Sequence, residues 1–449
     1  MTSQMKIRDR LELERDEARR LAPWAALSKD AEWSGASRTD DPLRPAFQRD
    51  RDRILHSRAF RRLKHKTQVF VPHVADHPRT RLTHTLEVAQ LARTIARALA
   101  LNEDLCEAIA LGHDLGHTAF GHTGETVLRQ ILTGECDEVD LPPQVVREVG
   151  TFKHNYQSLR VVDLLERRYA EPGLGLSNQV REGILKHTGW SVDLPFPLPH
   201  REGLALDEPC HLEGQVVAVA DEIAQQTHDL EDGLRARSVG FEGVEQLEVA
   251  RQVIEGLGEV YLGESRGWRR QNLLIRGLIA LFVRDVIEHS ARCLQKWISS
   301  GSICDAPSLR QLRTGLSPTT VWFSPEVFGL FQELKSFIYR FIINHPQVNR
   351  QDWRARKVMT TLFRAFWRNP LNLPSYVLLR ATEELGFSYL RDVPLGRVAE
   401  EVRSRYHASS GFARLVVDHL AGMSDRFALE EFRSLEMPSP DQSFTGDLR

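Results

Sequence analysis

The sequence predicts an all-α protein, and three observations carry that prediction. Apolar residues recur at helical spacing in one segment after another, strand-like alternation is weak and short, and no repeat or low-complexity tract interrupts the rhythm. Segment 85–100, TLEVAQLARTIARALA, brings Leu86, Ala89, Ile95 and Leu99 to one helix face. Segment 102–116, NEDLCEAIALGHDLG, opens on a cap-like Asn102 and is expected to run to Gly116. QSLRVVDLLERRYA, QVVAVADEIAQQTHDLEDGL and RGLIALFVRDVIEHSARCLQKWI continue the pattern. Two stretches break it. Residues 189–209 carry four prolines and read as a long loop, and 301–325 is loop-like as well.

Bulk properties exclude several classes. With 449 residues, 41% of them hydrophobic and 27% charged, the chain has the composition of a globular protein large enough for more than one domain. No window approaches the ~18 uninterrupted apolar residues of a membrane span. The N-terminus, MTSQMKIRDRLELERDEARR, lacks the apolar stretch of a secretory signal. Cys106, Cys136, Cys210, Cys293 and Cys304 are scattered, odd in number and without CxxC spacing, as reduced thiols are. The expected compartment is the cytoplasm.

Net charge is −2, so the molecule as a whole is no polyanion binder, yet residues 49–66 hold eight Arg or Lys against two Asp. That run is either a solvated helix face or a surface that meets phosphates. DWRARKVMTTLFRAFWR (352–368) has the same ambiguity. It is an amphipathic helix with Val358, Leu362, Phe363 and Phe366 in the core, or a basic-aromatic strip for single-stranded DNA.

Chemistry-bearing residues concentrate between 79 and 232. RTRLTHTLEVA holds His84; ALGHDLGHTAFGHTGE holds His113, Asp114, His117, His122 and Glu125. FKHNYQSLR adds His154, Asn155 and Gln157, ILKHTGW adds Lys186 and His187, and AVADEIAQQTHDLEDGL adds Asp221, His228, Asp229 and Asp232. Asp114 and Asp221 each follow an apolar helical run, where a carboxylate needs a donor or a cation. Two such acids with two histidines form a mixed nitrogen–oxygen set suited to a divalent metal. His113 and His117 also have the i, i+4 spacing of a zincin helix, with Asp114 in place of the general-base Glu. Gly116 argues against that reading by ending the helix.

Together His84, His113-Asp114 and Asp221 resemble the H…HD…D signature of the HD superfamily. The flanking blocks RILHSRAFRRLKHKTQVF, RTRLTHTLEVAQLARTIA, HDLGHTAFGHTGE, HNYQSLR and ADEIAQQTHDLEDGL, with VVDHLAGMSDRFAL near the end, resemble its deoxyguanosinetriphosphate triphosphohydrolase-like branch, in order, over most of 49–430. The resemblance implies an HD-domain helical fold. The run of helices and loops along the chain divides it, at a soft boundary, into a charged N-terminal extension (1–48), a catalytic domain (49–235) and a helical C-terminal region (236–449), with a single interwoven helical domain as the alternative. The resemblance also implies that His84, His113, Asp114 and Asp221 bind one divalent ion, Mg²⁺ or Mn²⁺ before Fe²⁺ or Zn²⁺, and that His122 and Glu125 form a catalytic pair. Without it, His122 reads as a residue bonding its own loop.

Substrate contacts are carried over in the same way. Gln68 and Asp229 would meet the sugar 3′-hydroxyl of a deoxynucleoside triphosphate; Arg62, Lys186 and His117 would meet its phosphates, with Arg58 and Lys66 as further cations. Relatives also suggest a homo-oligomer, a hexamer among the options, and a nucleotide activator. Gln225 stands where many relatives have tyrosine, and Thr118 and Ala119 where proline is common. Alternative readings are another HD phosphohydrolase (a 5′-nucleotidase, a phosphodiesterase or an alarmone hydrolase) and a nucleotide- or DNA-binding regulator.

Overall fold

A computed structural model describes residues 7–34, 41–68, 79–191, 193, 195–198, 200–299 and 316–436. Among them the chain is all-α, with one isolated bridge between Thr67 and Thr80. The elements are α1 (Arg10–Arg20), α2 (Ala46–Leu55), α3 (Arg58–Arg62), α4 (Arg81–Ala98), α5 (Glu103–Gly112), α6 (Gly121–Leu132), α7 (Pro143–Val149), α8 (His154–Arg160), α9 (Asn178–Lys186) and α10 (Leu212–Arg235). After them come α11 (Phe241–Glu245), α12 (Glu248–Leu257), α13 (Glu259–Leu262), the long α14 (Gly267–Ser299), α15 (Pro325–Ile338), α16 (Pro346–Arg368), α17 (Ser375–Leu385), α18 (Leu395–Glu401), α19 (Ser410–Ala421) and α20 (Asp425–Glu436). No helix of the described residues is long and apolar enough to cross a membrane.

Local chemistry sets the helices that matter for the site. Thr80 and Thr83 form a reciprocal capping box at the start of α4. The Asn102 side chain accepts from Leu105 N at 3.1 Å and caps α5. That helix ends at Gly112 rather than Gly116, so His113–Gly116 forms a turn. On α4 the buried stripe is Val88, Ala89, Leu91, Ala92, Ile95 and Ala96. Leu86, expected on it, is 49% exposed because it lies on the opposite face.

Two apolar cores organise the chain. The first joins α2, α4, α5, α9 and α10 with α14 and α15, and it takes in Ala25 and Ala26 from the N-terminal extension. The second unites α6 and α7 with α16, α17 and α19. These cores cut across a division at 235: residues 244–348 share the first core with the HD helices, whereas 119–152 share the second with 358–428. Phe363, Phe366 and Trp367 lie in that second core, which is the amphipathic-helix reading of 352–368 and leaves those rings no free face for nucleotide bases. The basic run 49–66 is no uniform face either. Arg51 pairs with Asp104 and Glu107, and buried Lys66 donates to the carbonyls of His117 and Ala421, while Arg58, Arg61, Arg62 and Lys64 are exposed. The described residues of 189–209 form the expected loop, with one short turn at Arg201–Gly203; 192, 194 and 199 lie outside the described residues. Of the loop expected at 301–325, 301–315 lies outside the described residues, as does Cys304. The other four cysteines are free.

Helices α5 and α9 cross through two glycines. A Cβ on Gly112 would stand 2.5 Å from Ile184 Cδ1, and one on Gly183 would overlap most of the Ile109 side chain. This reciprocal Gly–Ile contact brings both helix C-termini, and the histidines that follow them, to one place. Gly183→Ala would gain about 1 kcal/mol of helix propensity but overpack a closed contact at about 1–3 kcal/mol. It should therefore lower the apparent melting temperature by several degrees, with Ile109→Ala in the same chain restoring part of the loss. A Gly183→Ala protein that melts at or above the parent temperature would show the crossing to be loose.

Candidate metal centre

Helices α4, α5, α8, α9 and α10 pack on one another and each delivers a histidine or an acid to a common point. Buried His84 sits in the first turn of α4. Buried His113 caps the C-terminus of α5, and Asp114 follows it. Asp221 projects from the middle of α10, with its side chain 18% exposed.

Hydrogen bonding fixes the state of His113. Its Nδ1 lies 2.6 Å from the Ala110 carbonyl oxygen, which can only accept, so Nδ1 carries a proton. In the neutral ring Nε2 is then a bare lone pair. It faces Asp114 Oδ1 at 3.4 Å and Asp221 Oδ1 at 3.6 Å, and among the described residues no donor reaches it. Three acceptors converging in a buried space need a proton or a cation between them. Burial pushes the His113 pKa down, but Asp114 and Asp221 outweigh it and carry it up to about 9.

His84 completes the set, with Nε2 2.9 Å from Asp221 Oδ1. Potential ligand atoms of His84, His113 and Asp221 all lie within 4.8 Å of one another, a grouping that can hold a metal ion. Asp114 stands at its edge. Arg81 holds Oδ2 at 2.6 Å, leaving Oδ1 between His113 Nε2 and His117 Nε2, the latter at 3.3 Å. Asp114, His117 and His154 make a second close group. The ligands have supporting contacts of the kind metal sites use. His84 Nδ1 is 3.3 Å from His228 Nδ1, and His228 is bonded in turn to Glu87. Burial works against the Glu87 anion, yet His228 and Arg79 hold its pKa near 2.

The expected His122–Glu125 pair includes a third member. Glu125 accepts from His154 Nδ1 at 2.9 Å, whereas His122 Nδ1 is 3.7 Å from the same oxygen. Burial raises the Glu125 pKa, but the charge of His154, the nearby His122 and the hydrogen bond from His154 prevail and hold it well below the carboxylate range. The His122 side chain is 66% exposed. His154 stacks on His117 at 3.9 Å between ring centroids, and its Nε2 lies 3.3 Å from that of His187.

Other expected contacts divide. Among the described residues the buried Oε1 of Gln68 has no hydrogen-bond partner, and its backbone neighbours Gly121; Val69 and Phe70 of KTQVF lie outside the described residues. Asp229 is buried on α10 two turns beyond Asp221, with Gln225 between them on the same stripe. Burial first, then Asp232 and Asp221, raise its pKa to about 8. Lys186 is a correction: its ammonium group donates to Glu182 and to the carbonyls of Ala205 and Glu208, each at 2.7 Å, and has no proton left for a phosphate. Arg62 is another, since it lines a separate cleft that none of the metal-group residues enters. Lys66 is likewise committed, to backbone carbonyls. The zincin reading fails because α5 ends before His113, and His117 falls in the other group.

Sequence reasoning gave no role to Arg81 or His154. Arg81 precedes His84 by three residues on one helix, a usable signal, whereas the approach of His154 to Glu125 depends on the tertiary fold.

Known proteins are similar to the chain over this extent. A model of the HD domain matches residues 81–225, and one of the phosphohydrolase-associated domain matches 321–393 and 383–434. The chain is 38% identical over 437 residues to deoxyguanosinetriphosphate triphosphohydrolase-like protein 1 of Mesorhizobium japonicum, a match spanning 94% of this chain and 97% of that protein. Proteins named deoxyguanosinetriphosphate triphosphohydrolase-like from Geobacter metallireducens (38% identity; 93% and 95% of the two chains) and Ruegeria sp. (39%; 93% and 99%) are similar over the same extent.

A metal ion at this group must displace the proton that His113 otherwise holds below about pH 9. Binding near neutral pH should release close to one proton per ion, measurable by calorimetry in buffers of different ionisation enthalpy. Apparent affinity should rise about tenfold per pH unit and level off above pH ~9. Affinity that stays flat through neutral pH would place the displaced proton elsewhere.

Proposed function

This chain belongs to the deoxyguanosinetriphosphate triphosphohydrolase-like family of HD-domain phosphohydrolases, and from that premise we propose that it cleaves deoxynucleoside triphosphates at the α-phosphate, releasing a deoxynucleoside and intact triphosphate. The observation that carries the reading is the buried lone pair of His113, facing two carboxylates beside an exposed histidine backed by an anion. His84, His113, Asp114 Oδ1 and Asp221 would hold the ion, Mg²⁺ or Mn²⁺ by preference. When bound, it supplies Lewis-acid polarisation of a phosphate oxygen and offsets developing charge.

The chain's own groups do the rest. His122 is free to rotate toward a bound ligand and to protonate the leaving 5′-oxygen, while Glu125 holds the imidazolium form in place. Burial, followed by the charges of Arg81 and His154, keeps the His117 pKa well below its ordinary value, so His117 meets a phosphate as a neutral ring. Asp229, titrating at about 8, keeps a carboxyl proton at neutral pH. It can donate to the 3′-oxygen of the sugar while the unpartnered Oε1 of Gln68 accepts the hydroxyl proton. A site that spends buried polar groups on the 3′-hydroxyl and closes against C2′ selects deoxyribose.

Product analysis by anion-exchange chromatography tests this with each dNTP, with dNTP mixtures and with GTP as a ribose control, in Mg²⁺ and in Mn²⁺. Deoxynucleoside plus triphosphate is expected; monophosphate plus pyrophosphate would overturn attack at the α-phosphate. His122→Ala, at an exposed position, should lower kcat by about 10²–10⁴-fold with metal content unchanged. Gln225→Tyr should return an aromatic face to the stripe between Asp221 and Asp229. It should lower KM by up to about tenfold if that ring packs on the sugar, at the roughly 0.5–1.5 kcal/mol of an aromatic contact.

A further inference from the structure

His84 has two ring nitrogens, and only one of them faces the metal group. Its Nε2 looks onto Asp221 Oδ1 at 2.9 Å, whereas its Nδ1 lies 3.3 Å from Nδ1 of His228. The buried His228 is bonded through Nε2 to Glu87. With ring centroids 5.4 Å apart and planes nearly perpendicular, the two imidazoles meet through their edges rather than by stacking. Helix periodicity builds this chain of contacts from two elements. Glu87 follows His84 by three residues on α4, and His228 follows Asp221 by seven on α10, so each helix carries a ligand and a supporting group on one face.

Placing the protons along this chain has one solution when His84 holds a cation. To offer Nε2 as a lone pair, the neutral ring must carry its proton on Nδ1, and a buried N–H needs an acceptor. Among the described residues, the atom within hydrogen-bond reach of that nitrogen is His228 Nδ1. It accepts only while the His228 proton sits on Nε2, and there the Glu87 carboxylate, which can only accept, receives it. Burial works against the Glu87 anion, but contact with His228 and Arg79 keeps its pKa near 2, so it is an acceptor across the neutral range. Its two oxygens are divided: Oε2 meets His228, and Oε1 accepts from Arg79 Nε at 3.3 Å. Arg79 also donates to Glu231 at 2.6 Å and to Asp232 at 3.4 Å, which holds the outer end of the chain in place.

We propose that Glu87 and His228 are positioning residues of the metal centre: Glu87 sets the tautomer of His228, His228 sets that of His84, and the His84 Nε2 lone pair is thereby kept for the ion. Position in the helix explains why His84 needs such a relay and His113 does not. A helix leaves its last carbonyls free, and His113, at the end of α5, takes one of them, that of Ala110. His84 stands in the first turn of α4, where the free groups are N–H donors, so its acceptor has to come from another side chain. An imidazole backed by a carboxylate is also a more basic ligand, and here the carboxylate acts from outside the ligand group and adds no further anion beside Asp114 and Asp221. The inference rests on the ligand assignment proposed above and extends it to two residues outside that group.

Calorimetric titration of Mn²⁺ into the full chain, stripped of metal by chelation, tests the relay. His228→Ala should weaken binding about 10–100-fold. His228→Gln, whose amide oxygen can accept the His84 Nδ1 proton, should bring affinity back to within about threefold of the parent. Glu87→Ala should cost about tenfold in the parent but less than about threefold beside His228→Gln, because an amide can turn its oxygen to the N–H unaided. Parent affinity in His228→Ala, or a Gln variant as weak as the Ala one, overturns the relay. An equal cost of Glu87→Ala in both backgrounds shows the carboxylate acting by charge alone and overturns its part in setting the tautomer. A parent chain that binds no Mn²⁺ overturns the ligand assignment and the relay together. Nitrogen-15 spectra of the Zn²⁺-loaded chain read the same point without any substitution. They should show His84 protonated at Nδ1 and His228 at Nε2, and a His228 proton on Nδ1 overturns the proposal.

Discussion

The whole arrangement depends on two carboxylates buried beside imidazole lone pairs. Asp114 is enclosed and Asp221 nearly so, and taking such ions out of water costs several kcal/mol each unless positive charge meets them. Arg81 meets only Oδ2 of Asp114. The other oxygens look onto His113 and His84, and His113 has already given its Nδ1 proton to Ala110. An apolar protein of this size would not keep such a cluster for stability, because replacing it with packed hydrophobic residues is commonly neutral or favourable. The cluster makes physical sense as a cation site, and the helices around it are built to hold it still.

How they do so follows from where helices end. His113 and His187 are both C-caps, of α5 and α9, and each gives Nδ1 to a carbonyl three residues earlier in the chain, Ala110 at 2.6 Å and Ile184 at 2.7 Å. That bond fixes tautomer and ring direction without a further side chain, and it turns both Nε2 atoms toward the same space, with the rings 5.0 Å apart. The Gly112–Ile184 and Gly183–Ile109 contacts set the register of the two ends. A second clamp comes from far along the chain. Phe120 adopts a left-handed conformation at φ 61°, which costs roughly 1–2 kcal/mol for such a residue. Its N–H donates to Asp425, which also accepts from Thr67, while Lys66 ties the carbonyls of His117 and Ala421 together. The C-terminal helices thus fix the loop bearing His117 and His122, although they supply none of the metal group.

Much of this was legible in the sequence. The all-α class follows from periodicity, and the demand for a cation follows from acids ending apolar runs. That His84, His113 and Asp221 meet could not be read from spacing, since 29 and 108 residues separate them and only the resemblance joined them. The misplaced residues share a cause. Lys186 looks like a phosphate ligand in ILKHTGW, but the loop after it folds back and its carbonyls at 205 and 208 take the ammonium protons. Arg62 has the charge for a triphosphate and points to another space. Leu86 fits a helical stripe drawn from a few residues, while the stripe the fold uses runs through Val88, Leu91 and Ile95. In each case the residue type was informative and its direction depended on long-range packing.

His154 shows what such packing adds to the chemistry. A pair of His122 and Glu125 alone would leave the carboxylate with one partner, able to follow that histidine as it moves. Here Glu125 is anchored by the His154 ring and, more weakly at 3.3 Å, by the His154 backbone N–H, so it stays in place whether or not His122 is near. The exposed imidazole can then swing toward a ligand and return to the same anion. His154 in turn stacks on His117, whose Nε2 approaches the free oxygen of Asp114. Proton handling and metal holding are therefore joined through one contiguous set of rings.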